Sequence, residues 1–162
     1  MQKNDANNWD KLASDIEDTV NESWQMLRRV PNETVMARPG LGEWSMKEIV
    51  GHLVDSVSNN HQRVVRLQVA DGLVFPDYSQ NNTTWVAIQR YQAADWDDLL
   101  ALWRHFNLHL ARVIRTVDLQ CIDHIWVIDK YTTITLGELM TDYLRHLKDH
   151  LQHIKNLIGN MT

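Results

Sequence analysis

The chain has 162 residues, with Lys+Arg 16 against Asp+Glu 21 and a net charge of -5. That length suits a single domain over 1–162 with a proper core, and a hydrophobic share of 44% beside 23% charged residues is ordinary for a soluble globular protein. No Lys/Arg cluster forms a nucleic-acid footprint, no apolar run reaches membrane-span length, and the first residues lack the apolar centre of a secretion signal, so the expected compartment is the cytoplasm.

The first element is a helix over about 8–29, where Trp9, Leu12, Ile16, Val20, Trp24 and Leu27 recur at helical spacing. Pro31 and the Pro39-Gly40-Leu41-Gly42 run predict a loop. A second helix opens at Ser45, because Ser45-Met-Lys-Glu48 reads as a capping box and Trp44 is placed to pack on Ile49 as a hydrophobic staple. Its stripe of Ile49, Leu53, Val57, Val64 and Leu67 runs to about Ala70, where Asp71-Gly72 and Phe75-Pro76-Asp77 end it.

A shorter helical stretch is expected over 82–92, followed by a longer helix capped by Asp95 and carrying Trp96, Leu99, Leu100, Trp103, Phe106, Leu110, Val113 and Ile114. The pattern weakens over 118–133, with 125–128 as a short extended piece. The last helix starts at Thr135, again with a capping box to Glu138 and a staple of Ile134 with Leu139, and runs to Ile158 with Gly159 as its stop. These elements predict an all-α protein, a four-helix bundle with long connections. Cys121 is the single cysteine, which excludes an intramolecular disulfide and a cysteine zinc knuckle and leaves it as a small buried apolar residue.

The candidate chemistry sits on two of these helices. His146 and His150 are four apart, so they project from one face a single turn apart, at a spacing where two imidazoles close on one metal. They belong to a stripe of Leu139, Tyr143, His146, His150, His153 and Leu157 that flanks the apolar stripe of the same helix, at the edge of the buried face. His153, nearly a turn beyond, is an outer or interfacial residue. His52, on the second helix, supplies a third ligand if the two helices pack together, which is the set that a catalytic metal with an open position needs. Asp55, Ser56 and Asn59 continue the His52 face, and Asp55 is the candidate general base or imidazole partner. The competing reading of the same residues is a non-catalytic bundle whose histidines hold a structural ion or satisfy core polarity.

Two motifs carry a family resemblance: Gly42-Glu43-Trp44-Ser45-Met-Lys-Glu48-Ile-Val-Gly51-His52-Leu53 and Tyr143-Leu-Arg-His146-Leu-Lys-Asp-His150-Leu-Gln-His153-Ile154. With the segment from Tyr91 to Trp103 between them, the chain resembles the DinB-like family, also called YfiT-like metalloenzymes, over nearly its whole length. The resemblance implies a four-helix bundle of uncommon connectivity, one divalent metal on His52, His146 and His150, and a homodimer. One departure is visible: Asp149 stands where many members carry the first of two adjacent histidines, and that histidine is not the ligand. Members of the family include metal-dependent hydrolases, thiol-S-transferases that use bacillithiol- or mycothiol-type thiols, and related isomerases.

Three neutral imidazoles leave a metal its full charge and an open position. That position suits hydrolysis of a small-molecule substrate by an activated water, or transfer of a low-molecular-weight thiol held as thiolate. The thiol route needs no protein nucleophile, and the hydrolytic route needs a base, for which Asp55 is the candidate. Imidazole suits zinc, nickel, copper and iron, with zinc or nickel the expectation here.

Overall fold

The computed structural model of the protein describes residues 2–74 and 81–161, and its elements follow the predicted order. Among the described residues, four long helices form the bundle: α1 (Gln2–Leu27), α3 (Met46–Val69), α5 (Trp96–Arg115) and α6 (Leu136–Met161). Two short helices, α2 (Asn32–Met36) and α4 (Asn82–Gln89), and a two-stranded antiparallel hairpin, β1 (Ile125–Val127) with β2 (Thr133–Thr135), sit in the connections. Helix α1 packs chiefly on α5, and α3 packs on both α5 and α6. Of the consecutive long helices, α3 and α5 pack together while α1 packs chiefly on α5 rather than on α3, and the long connections are what allow α3 to reach α6.

Each long helix buries the stripe read from its sequence. Ile16, Val20 and Leu27 of α1, Ile49, Leu53 and Val57 of α3, Trp103, Leu110 and Ile114 of α5, and Leu136, Met140, Leu147 and Ile154 of α6 share one core. Both capping boxes form. Ser45 Oγ accepts from the Glu48 amide at 3.2 Å while Glu48 Oε2 accepts from the Ser45 amide at 2.9 Å, and Thr135 and Glu138 repeat the arrangement at 3.2 and 2.9 Å. Arg38 adds a two-pronged contact to the Glu48 carboxylate, at 2.9 and 2.5 Å, which pins the loop before α3 to its first turn.

Several boundaries differ from the sequence reading. The segment expected as loop holds one helical turn, α2, begun by Pro31 at φ -58, a backbone angle already suited to a helix start. The 82–92 stretch breaks at Arg90, which adopts φ 54 and ψ 38 and separates α4 from a 3-10 turn over Tyr91–Ala93. Thr133–Thr135 is a strand as well as the lead into α6, paired with Ile125–Val127 so that Trp126 faces Ile134. Gly159 does not stop α6, which runs to Met161. The Phe75-Pro76-Asp77 stop lies outside the described residues.

Candidate metal centre

His52, His146 and His150 come together where α3 meets α6, their donor nitrogens all within 4.8 Å of one another. Ring centroids lie 5.6 Å apart for His52 and His146, 4.8 Å for His52 and His150, and 4.6 Å for His146 and His150, each pair edge-on. The last is the helical i,i+4 pair, and the other two exist only because α3 packs on α6. Trp44, placed by sequence for a staple, also brings its ring centroid within 5.3 Å of His52 and walls one side of the cluster. His153, by contrast, is exposed.

The electrostatics favour neutral rings. Burial, and then the neighbouring His150 and His146, lower the His52 pKa to about 4. Burial, followed by His146 and His153, takes His150 to about 4 as well, and burial lowers His146. At neutral pH all three imidazoles keep their lone pairs for a ligand. Ser56 Oγ stands 3.4 Å from His146 Nδ1, a contact that would leave Nε2 as the ligand nitrogen. His52 Nδ1 is buried without a hydrogen-bond partner, an arrangement that a buried polar nitrogen does not ordinarily tolerate.

These residues fit a metal ion. The donor set is all imidazole, burial keeps the rings uncharged, and one buried nitrogen lacks a hydrogen-bond partner. The ligand sets of zinc and nickel sites have this character.

Asp55, the candidate base, lies one turn from His52 but turns elsewhere. It is only 4% exposed, and its Oδ1 accepts from Gln89 Nε2 at 2.6 Å and from the Tyr91 hydroxyl at 2.7 Å. Burial raises its carboxyl pKa, partly offset by those two donors. Tyr91 reaches it by lying directly on Gly51, where an added Cβ would stand 2.2 Å from two ring carbons. The glycine one residue before His52 is thus the opening through which the Tyr91 ring passes. Cys121 is buried away from the cluster, its Sγ 3.6 Å from the Gln68 carbonyl oxygen.

Comparison with known proteins shows the family and the fold. The sequence profile of the DinB superfamily matches residues 15–154, most of the chain. The chain belongs to the DinB superfamily. Among solved structures, the DinB chain is similar to YfiT from Bacillus subtilis, described as a probable metal-dependent hydrolase with an unusual four-helix bundle topology. The two share 20% identity and a TM-score of 0.81 over 99% of this chain and 90% of that one. It is also similar to a mycothiol-dependent maleylpyruvate isomerase, at 12% identity and a TM-score of 0.71 over 88% of this chain but only 59% of the other. At these identities both likenesses speak for the fold. No curated protein sequence matches.

In this DinB chain the histidine cluster opens on a cavity of about 320 Å³. Its walls mix Trp126, Ile128, Ile134 and Leu139 with Asn59, Asn60, Arg63 and Asn82, and His52, Ser56 and His146 line it at the cluster end. Ser56 and Asn59 follow from the His52 face, but Asn60, Arg63 and Asn82 were not picked out by sequence. A signal for Arg63 was present: it stands three helical turns beyond His52 and so on nearly the same face. Tyr143 also borders the cavity and donates its hydroxyl to Asn107, which is fully buried and in turn donates to the Trp103 carbonyl at 2.8 Å. A larger, more open groove of about 630 Å³ lies beyond the hairpin and shares Ile128, Ile134 and Asp142 with the first. It holds none of the cluster histidines.

Proposed function

We propose that this DinB protein is a divalent-metal-dependent enzyme in which His52, His146 and His150 hold zinc or nickel, and that it transfers a low-molecular-weight thiol to an electrophilic small molecule. The observation that carries the reading is the three-imidazole cluster, neutral by burial, two of whose rings, His52 and His146, line a cavity. A metal bound there would act as a Lewis acid and lower the pKa of a nucleophile at its open position.

The residues of the chain define the rest. Ser56 sets the orientation of the His146 ring from its Nδ1 side, and Trp44 keeps bulk water from one flank of His52. The apolar wall of Trp126, Ile134 and Leu139 holds the carbon skeleton of a substrate against the cluster. Thiol transfer is favoured over hydrolysis by the position of Asp55, which does not line the cavity and has Oδ1 engaged by Tyr91 and Gln89. A thiol acidified by the ion needs no such base, whereas attack by water is helped by one. Hydrolysis is the second reading, supported by the likeness to YfiT.

Elemental analysis of the purified protein and titration with zinc and nickel test the metal. One ion per chain is expected, lost in His146→Ala/His150→Ala; unchanged binding in that variant overturns the proposal. An electrophile screen with and without added low-molecular-weight thiols separates the two chemistries, because turnover that ignores thiol assigns hydrolysis instead.

A further inference from the structure

Helix α3 carries a second histidine, His61, further along than His52. The step from one to the other is about two and a half helical turns, so the two rings leave α3 on opposite sides. His52 meets α6 and His61 meets α5, the two long helices on which α3 packs. There the His61 ring lies beside that of His109, with centroids 5.0 Å apart and planes 43° from each other, and the Phe106 ring stands edge-on to it at 5.5 Å. Both histidines are half-buried in the seam between the helices, whereas His105, one turn earlier on α5, is exposed.

That spacing suits two ligands of one ion. Imidazoles bound through nitrogen at about 2.0 Å in adjacent positions put their ring centroids about 5 Å apart. The separation also falls within the 4.6 to 5.6 Å found among His52, His146 and His150. Burial, and then His109, lower the His61 pKa, so its ring is neutral at pH 7 and keeps a lone pair for a metal. His109 Nδ1 accepts from Arg112 Nη2 at 3.1 Å, and because a guanidinium only donates, the His109 proton sits on Nε2. An ion binds Nδ1 by displacing Arg112, or binds Nε2 once the proton has moved to Nδ1, and either route ends the Arg112 bond. Arg112 is exposed and free to turn into water.

We propose that His61 and His109 form a second metal site, a two-imidazole clip between α3 and α5 for a divalent transition-metal ion, with Arg112 as the competitor for its lone pair. Copper(II) stands at the top of the affinity order for nitrogen ligands and is the ion expected to bind most tightly. With two protein ligands against three, the clip holds zinc or nickel less tightly than the His52 cluster and fills after it. The site is independent of the proposed function, since an ion there lies on the other side of α3 from His52.

Titration of His146→Ala/His150→Ala protein with copper(II), followed by electron paramagnetic resonance, tests this with the first cluster dismantled, so the result does not depend on the proposed function. A copper(II) signal coupled to two nitrogens is expected. Adding His61→Ala or His109→Ala to that background should weaken binding by at least about tenfold, the least that even an outer-shell partner is worth. Arg112→Ala should strengthen it, because the lone pair is then uncontested, and His105→Ala should leave it unchanged. Circular dichroism checks that the histidine variants fold, and Arg112→Ala, at an exposed position, reads the site without disturbing the seam. Undiminished copper binding in folded His61→Ala or His109→Ala, or an affinity that Arg112→Ala does not raise, overturns the clip. Loss of binding in His105→Ala but not in His61→Ala would place the ion on α5 alone and overturn it equally.

Discussion

At the scale of single residues, the three histidines differ in how they became recognisable. His146 and His150 announce themselves by spacing, since a four-residue step on a helix always stacks two side chains. His52 has no such local signal, and only its place in the Trp44–Leu53 motif, and then the packing of α3 on α6, makes it a partner. Their shared burial has a measurable consequence. Unfolded histidine titrates near 6.5, while folded His52 and His150 titrate at about 4. As pH falls below 6.5 the unfolded chain takes up protons that the folded one refuses, so these groups contribute stability above 6.5 that is lost progressively down to about 4. The urea midpoint of metal-free protein should fall between pH 7.5 and pH 5, and His150→Ala should flatten part of that slope; a wild-type midpoint that does not move would show that the rings are solvated. Ser56→Ala tests the orientation of His146. Removing its contact at 3.4 Å should weaken metal binding by about tenfold, at the low end of outer-shell effects, as read by competition with a chelating dye. Asp55 shows the opposite case, a residue correctly placed on the helix face by sequence but turned by its neighbours. Tyr91 claims it from across the Arg90 break, and no period in the sequence reports where a left-handed residue will send the following ring.

Among the elements, those with strong end signals were the legible ones. The Ser45 and Thr135 boxes name helix starts because a short polar side chain followed by Glu satisfies orphan amides from both sides, and both starts are found there. Gly159 misled because a terminal glycine stops a helix only when it enters positive φ, and the glycines that do so are Gly42 and Gly72. Strand β2 was missed for a different reason. Three residues carry too little alternation to be read, and the strand exists through its pairing with β1, which Leu73 extends by bonding on either side of Trp126. Gly51 offers the sharpest test at this scale. On an exposed helix face, alanine would be the better residue by about 1 kcal/mol. Here the new methyl would stand 2.2 Å from Tyr91 ring atoms and 2.7 Å from its Cβ, so relief requires backbone movement rather than a side-chain rotation. Overpacking of this kind costs about 1–3 kcal/mol, and Gly51→Ala should therefore lower unfolding free energy in urea instead of raising it. Gly51→Ala combined with Tyr91→Ala should recover part of the loss, since the clash with the ring is then gone and only the 2.7 Å approach to the Cβ at position 91 remains.

For the whole molecule, the bundle connectivity and the metal centre are one problem. His52 belongs to the first half of the chain and His146 with His150 to its last helix, so an ion shared among them would bridge α3 and α6 across most of the sequence. In the unfolded chain that set is dispersed, and only the four-residue pair persists locally. A ligand that binds the folded state alone adds stability of RT ln(1 + [L]/Kd), about 4 kcal/mol at a thousandfold excess over Kd. For a domain of this size each 1 kcal/mol moves Tm by about 2–4 °C, so saturating zinc or nickel should raise Tm by about 10 °C. His52→Ala should remove most of that rise even though it leaves the helical pair on α6 untouched. A rise in His52→Ala equal to wild type would mean that the ion sits on α6 alone, and the bridging centre would be wrong. The contrast between His52→Ala and the α6 double variant therefore reports whether the fold, rather than one helix, makes the site.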